Sequence, residues 1–217
     1  MQRTIEAVIF DNDGTLVDSE NITLSVLMEI AIEHGADVRD DDPHRFLGAH
    51  LQVVFDEIGK RAGKPLPDGM IDVFRAKQTR MINEGLSEMP GATELLEYLA
   101  DRNMPMAVAS NAPRTKMERC LNATNLARFF PEAHLISAYD VNVWKPAPDI
   151  FLTAANVLGV APDRCAVVED SGTGLDAANA AGMIVFALDP SGRFADRPST
   201  TTLSSLPELI NQLELSK

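Results

Sequence analysis

Short apolar segments alternate with amphipathic segments along most of the chain. The apolar segments are typical of strands and read AVIF, MAVAS, RCAVVED and MIVFAL, with HLISA as a weaker example. The segments between them, such as ATELLEYLAD and PDIFLTAANVLG, have apolar residues at helical spacing. Strands that alternate with helices predict an α/β fold, with a parallel sheet and helices on both of its faces. In this interpretation MIVFAL is the last strand, and a polar stretch and a short amphipathic helix follow it.

Residues 18–86 interrupt this alternation. Three segments there have helical periodicity without a strand-like run between them: ENITLSVLMEIAIEHG, LQVVFDEIGKRAG and DGMIDVFRAKQTRMINEG. A crossover between two parallel strands needs far fewer residues, so we interpret the excess as an inserted helical module. The predicted organisation is therefore an α/β core of residues 1–17 and 87–217 with a helical insertion of residues 18–86.

Composition and charge narrow the functional class. The 217 residues are 45% hydrophobic and 24% charged, which is typical of a soluble globular protein. No apolar segment approaches the roughly 20 residues of a membrane helix, and MQRTIEAVIF lacks the features of a signal peptide. Cys120 and Cys165 lack metal-binding spacing and are expected to be buried free thiols. These features predict a cytoplasmic protein, and the absence of a strong apolar seam predicts a monomer.

A formal net charge of −13 argues against nucleic acid or an anionic membrane as a partner. The same charge would repel an anionic small molecule unless the binding site reverses the potential locally. Any site for such a ligand must therefore contain a concentrated positive charge.

Polar and charged side chains follow four of the apolar segments. They are Asp11, Asn12 and Asp13 after AVIF, Ser110 and Asn111 after MAVA, Lys145 after HLISAYDVNVW, and Glu169 and Asp170 after CAVV. Each group alone has an ordinary explanation as a turn, a helix cap or a solvated charge. Ligands of open α/β sheets bind beyond the carboxyl ends of the strands, so the four groups together predict one site.

The residue types at these strand ends indicate a metal and a reaction. Two carboxylates about 4 Å apart repel by roughly 4 kcal/mol at an effective dielectric of 20, so four carboxylates and one lysine need a further cation. Carboxylate oxygens suit Mg²⁺. An aspartate can attack a phosphoryl group, while a second carboxylic acid protonates the leaving oxygen and then activates water. Serine, asparagine and lysine side chains can hold the phosphoryl oxygens.

The stretches FDNDGTLVDSE, VASNA, WKPAPDIF and VVEDSGTG resemble the four signatures of the haloacid dehalogenase superfamily. The similarity is to the phosphatase branch that includes β-phosphoglucomutase, and it spans Ile5 to about Ala187. It implies a Rossmann-like core, and it implies that residues 18–86 form the helical cap. In the family this cap closes over the site, excludes water and carries substrate specificity.

The resemblance also implies residue roles. Asp11 is expected to be the nucleophile, and Asp13 the general acid/base with its backbone carbonyl on the metal. The expected phosphate-binding residues are Ser110, Asn111 and Lys145. The expected ligands of Mg²⁺ are Asp11, Asp13, Glu169 and Asp170, with Glu169 either a direct ligand or a partner of one.

Two positions bear on the reaction type. Haloacid dehalogenases proper lack the second aspartate, so Asp13 favours phosphoryl transfer. β-Phosphoglucomutases carry an arginine shortly after a cap glycine, but Gly48 is followed here by Ala49 and His50. Gly48 and His50 are the predicted specificity residues, and hydrolysis of a small sugar phosphate is the expected reaction. A phosphosugar mutase and a non-enzymatic, receiver-like phosphate acceptor are the alternatives.

Overall fold

The computed structural model describes residues 4–39, 41–42, 46 and 51–215. The chain forms two compact units, Met1–Asp18 with Ser87–Lys217, and Ser19–Leu86. In the described residues every strand belongs to the first of these, the larger unit. The predicted specificity residues Gly48 and His50 lie outside the described residues.

The smaller unit is built from helices. These are α1 Ser19–Glu33, α2 Leu51–Arg61 and α3 Met70–Gly85, in the three segments with helical periodicity. Their apolar faces share a core in which the rings of Phe55 and Phe74 meet edge to face, with 6.2 Å between centroids. Lys77 Nζ binds Glu29 at 2.6 Å and Glu33 at 2.9 Å, so this lysine is already paired within the unit.

The larger unit contains a six-stranded sheet. Its strands are β1 Ala7–Phe10, β2 Met106–Ser110, β3 Leu135–Ser137, β4 Cys165–Glu169, β5 Ile184–Leu188 and β6 Thr200–Leu203. They pair in parallel in the order β3-β2-β1-β4-β5-β6. The predicted α/β fold with a Rossmann-like parallel sheet is therefore confirmed.

Helices connect and cover these strands. They are α4 Ala92–Asp101, α5 Arg114–Ala123, α6 Ala138–Val141, α7 Asp149–Leu158, α8 Gly172–Ala180 and α9 Glu208–Leu215. As predicted from PDIFLTAANVLG, α7 ends at Gly159, whose φ of 69° is in the left-handed region that favours glycine. None of the described helices combines the length and the hydrophobicity needed to cross a bilayer.

The prediction that MIVFAL forms the last strand is wrong. The polar stretch that follows it contains β6, which pairs with β5 at the edge of the sheet. Thr201 and Thr202 are exposed there, whereas Leu203 is buried. A half-exposed edge strand needs few apolar residues, and β-branched threonines favour extended backbone. The segment therefore lacks the apolar pattern that identified the buried strands.

The central strand β1 is buried on both faces. Ala7 and Ile9 join a core cluster with residues of α7 and α8, including Phe151. Successive side chains of a strand point to opposite faces, so Val8 and Phe10 lie on the other side, where Phe10 packs against the ring of Phe130. Packing on both faces holds the carboxyl end of β1 rigidly. Both cysteines are buried and free, as predicted.

Substitution of Leu99 by alanine tests the burial of the apolar face of α4. Leu99 is fully buried, so Leu99→Ala should lower the free energy of unfolding by about 2–5 kcal/mol. The matched control is Leu152→Ala on α7, where the side chain is 38% exposed and the change should stay within about 0.5 kcal/mol. Urea denaturation followed by circular dichroism measures both, and equal losses would contradict the described packing.

Candidate active site

The carboxyl ends of three neighbouring strands bring the predicted residues together. Phe10 at the end of β1 is in register with Val108 of β2 and Val168 of β4. The residues that follow these positions therefore meet at one edge of the sheet. They are Asp11, Ser110, Glu169 and Asp170, and Lys145 joins them from the segment after β3.

Lys145 connects two buried carboxylates. Its Nζ donates to Asp11 Oδ1 at 2.5 Å and to Glu169 Oε2 at 2.9 Å, and it lies 4.9 Å from the centroid of the Phe151 ring. Burial opposes the charged form of Lys145, but the two carboxylates outweigh it and raise its pKa, so the ammonium persists. Burial, together with the nearby carboxylates, raises the pKa of Asp11 well above its usual value, although Lys145 opposes this shift.

Glu169 is held by backbone groups as well as by Lys145. Its Oε1 accepts hydrogen bonds from the N–H groups of Asp170 and Ser171, each at 3.0 Å. Gly174 on α8 lies directly against this carboxylate, since a Cβ built there would lie 1.4 Å from Glu169 Oε2. Only glycine fits at this position, so the approach of α8 positions the side chain that holds Lys145.

Asp170 is fixed by the turn that follows β1. Thr15 Oγ1 donates to Asp170 Oδ1 at 2.9 Å. Gly14 has a φ of +85°, and a Cβ there would lie 2.4 Å from Asp170 Oδ2. Arg193 Nη2 donates to the Asp170 carbonyl at 3.2 Å. The turn after β1 therefore packs tightly on the loop after β4.

Three buried carboxylates form a group with metal-binding geometry. Asp11, Glu169 and Asp170 each offer an oxygen, and these oxygens lie within 4.8 Å of one another. An all-oxygen donor set of this kind suits a hard divalent cation. Within the described residues, the side chain of Asp13 does not belong to this group, which leaves its backbone carbonyl as the expected contribution.

Ser110 and Asn111 both lie at the end of β2. Ser110 is buried, and its Oγ accepts a hydrogen bond from the Ala112 N–H at 3.1 Å. Asn111 Oδ1 accepts from the backbone N–H of Lys145 at 2.9 Å. Asn111 therefore connects the loop after β2 to the segment that carries Lys145.

Asp13 has a cationic partner that the strand ends did not indicate. Lys116 Nζ on α5 lies 2.8 Å from Asp13 Oδ1, and the two side chains are 21% and 23% exposed. Burial opposes the charged form of Lys116, but the carboxylate of Asp13 outweighs it and raises the pKa of the lysine. The site therefore has a second ammonium group in addition to that of Lys145.

Asn12 lies beneath the site rather than in it. Its side chain is fully buried, and within the described part of the chain neither amide atom has a regular hydrogen-bond partner. A weak interaction joins it to the thiol of Cys120, whose pKa burial raises to about 12. An unsatisfied buried amide destabilises a fold by about 1–3 kcal/mol, so Asn12 lowers the local stability between Asp11 and Asp13.

A family model described as haloacid dehalogenase-like hydrolase matches residues 8–188, which include all four groups of strand-end residues. The chain belongs to this family. A 6-phosphogluconate phosphatase from Escherichia coli K12 is 36% identical over 212 residues, and the match covers 94% of each sequence. Membership of this hydrolase family, with phosphatases among the relatives, identifies the chain as a phosphoric monoester hydrolase. The receiver-like, non-enzymatic alternative is therefore wrong.

Solved structures of the haloacid dehalogenase family share the fold. A family hydrolase from Deinococcus radiodurans R1, solved with bound phosphate and sodium, has a TM-score of 0.84 at 28% identity. That match covers 99% of this chain and 97% of the other. A β-phosphoglucomutase from Clostridium difficile has a TM-score of 0.78 at 23% identity, with coverages of 98% and 97%. At this identity the likeness concerns the fold alone.

The family signatures located the residues at the strand ends but not the residues that hold them. Thr15 and Gly174 lie within the quoted signatures. Their closeness in sequence to Asp13 and Asp170 is the signal that could have identified them. Lys116 follows Ser110 by six residues, which places it in the first turn of the next helix. Arg193 lies in the loop after β5, and no sequence pattern links that loop to Asp170.

Gly174→Ala tests the contact between α8 and Glu169. The added Cβ would displace Glu169 and with it Lys145, so we expect activity to fall by about 10–100-fold. Gly172→Ala is the matched control in the same helix, because a Cβ there meets its first neighbour at 3.8 Å. Hydrolysis of p-nitrophenyl phosphate measures both, and full activity of Gly174→Ala would contradict the positioning role of this contact.

Proposed function

We propose that the protein hydrolyses a small phosphate monoester, a phosphorylated sugar or sugar acid, through an aspartyl phosphate on Asp11 with Mg²⁺ as cofactor. The observation that carries this proposal is the buried pairing of Lys145 with Asp11 and Glu169, beside Asp170. The 6-phosphogluconate phosphatase relative supports a sugar-phosphate substrate. The Deinococcus hydrolase with bound phosphate supports a phosphate site in this fold.

Charge balance supports a divalent cation. When all four are ionised, the carboxylates of Asp11, Asp13, Glu169 and Asp170 outnumber the two ammonium groups of Lys116 and Lys145 by two. One divalent ion would neutralise this set before the phosphate dianion enters, which resolves the repulsion expected from the net charge of −13.

The hydrogen bonds of these carboxylates support one way of holding the ion. Asp11 and Asp170 would be direct ligands, with the backbone carbonyl of Asp13, while Glu169 has both oxygens engaged and would mainly orient Lys145. A bound Mg²⁺ supplies electrostatic shielding between the nucleophile and the phosphate.

In the first half of the reaction, a carboxylate oxygen of Asp11 attacks phosphorus. The bond to the leaving oxygen breaks with its electron pair on that oxygen, which takes a proton from Asp13. Lys145, Ser110 and Asn111 would hold the phosphoryl group, since Lys145 already contacts Asp11 and Asn111 fixes the Lys145 backbone.

In the second half, a water oxygen attacks phosphorus and Asp13 accepts the proton of that water. The bond between phosphorus and Asp11 breaks, which restores the Asp11 carboxylate and releases phosphate. Asp13 ends the cycle protonated, as it began. A partly exposed Asp13 suits this role because water can reach it, whereas Asp11 is nearly buried.

We further propose that the Ser19–Leu86 unit is the cap that selects the substrate. Gly48 and His50 stay the predicted specificity residues of this unit. We also propose that the enzyme acts as a monomer in the cytoplasm.

Asp11→Asn tests the nucleophile. The amide lacks the anionic oxygen that attacks phosphorus, so hydrolysis of p-nitrophenyl phosphate should be abolished. Asp101→Asn is the control, because Asp101 is exposed at the end of α4, before the amino end of β2. Removal of metal with EDTA should abolish activity of the unmodified protein, and added Mg²⁺ should restore it. Full activity of Asp11→Asn would refute the nucleophile assignment.

Product analysis separates hydrolysis from the mutase alternative. With Mg²⁺ and a panel of phosphorylated sugars and sugar acids, we expect release of inorganic phosphate. With β-glucose 1-phosphate, formation of glucose 6-phosphate without phosphate release would contradict the proposed hydrolase and support a mutase.

A further inference from the structure

We propose that Lys116 is a positioning residue that orients the Asp13 carboxylate for hydrolysis of the aspartyl phosphate. This inference rests on the proposed function, because it assigns Lys116 to the acid/base of that reaction. Its basis is the 2.8 Å contact between Lys116 Nζ and Asp13 Oδ1. No family signature quoted above includes Lys116.

The helix that carries Lys116 is firmly anchored. Three side chains of α5 are fully buried within the larger unit: Met117, Cys120 and Leu121. They place the first turn of α5 next to the loop that begins at Ser110. Lys116 is only 21% exposed, so its aliphatic stem is packed and its ammonium group has a defined position.

The two lysines of the site serve different carboxylates. Lys145 binds Asp11 and Glu169 in the buried part, whereas Lys116 binds Asp13 nearer to solvent. Each of the two proposed catalytic aspartates therefore has its own ammonium partner. If Lys116 served only to balance charge, a position beside the metal-binding carboxylates would be the more effective one, because their mutual repulsion is strongest there.

An ammonium group on one carboxylate oxygen restricts the rotation of that carboxylate. Hydrolysis of the aspartyl phosphate needs a defined carboxylate orientation, since Asp13 must accept a proton from a water aligned with phosphorus and Asp11. Misplacement of a catalytic group by about 1 Å can slow a reaction by roughly 10²-fold. Lys116 would thus act on the rate through Asp13, without contacting the phosphate itself.

The first experiment measures the two halves of the reaction separately. p-Nitrophenolate leaves without needing a proton, so formation of the aspartyl phosphate from p-nitrophenyl phosphate is insensitive to Asp13. Lys116→Met should therefore show a burst of p-nitrophenolate, followed by a steady rate about 10–100-fold below that of the unmodified enzyme. Lys116→Arg keeps a cation and should recover most of the steady rate.

The matched control is Arg164→Met, which also removes one cation of an ion pair. Arg164 binds Glu6 at 2.9 Å before the amino ends of β4 and β1, at the opposite edge of the sheet from the site. The steady rate of Arg164→Met should equal that of the unmodified enzyme. Circular dichroism checks the fold of each variant, and Lys116→Gln replaces Lys116→Met if the latter does not fold.

A double-mutant cycle tests whether Lys116 acts through Asp13. Decay of the aspartyl phosphate is measured in the unmodified enzyme, in Lys116→Met, in Asp13→Asn and in the double variant. We expect the lysine substitution to have no further effect without the Asp13 carboxylate. The inference would be overturned if Lys116→Met slowed the decay equally with Asp13 and with Asp13→Asn. It would also be overturned if Lys116→Met showed no burst and had the same rate as Arg164→Met. An active Asp11→Asn enzyme would instead refute the proposed function itself.

Discussion

The candidate site depends on one interaction, the buried contact of Lys145 with Asp11 and Glu169. Two carboxylates and an ammonium are stable in a protein interior only when each charge is paired and hydrogen-bonded. Glu169 meets this requirement through Lys145 and two backbone amides. Asn111 holds the Lys145 backbone from the end of β2. Three strand ends and one loop are thereby joined around a single buried charge cluster.

The same requirement explains the close packing around the site. Gly14 and Gly174 leave no room for a side chain between their backbones and the carboxylates of Asp170 and Glu169. These contacts hold like charges close together, which is unfavourable without a cation and favourable with one. Lys116 extends the pattern to Asp13, at the exposed side of the cluster. A divalent ion and a phosphate dianion together complete the charge balance of such a site.

Sequence patterns predicted the fold well where burial is complete. Strands such as β1 and β4 are apolar because both faces are packed, so they can be recognised from the sequence alone. The edge strand β6 was missed, because Thr201 and Thr202 face solvent and need no apolar side chains. The acidic and basic residues at the strand ends were also predicted, since parallel strands necessarily bring their carboxyl ends to one edge of a sheet.

The sequence by itself therefore determined the α/β class, the family and the strand-end residues that meet at one site. Only the tertiary structure decided which of them contact each other, because those contacts join residues far apart in the chain, such as Asp11 and Lys145. It also revealed Lys116, Gly174 and Arg193, whose roles depend on distances across the sheet edge rather than on local pattern. A lysine or a glycine on a helix has many ordinary explanations, and only its neighbours in three dimensions distinguish among them.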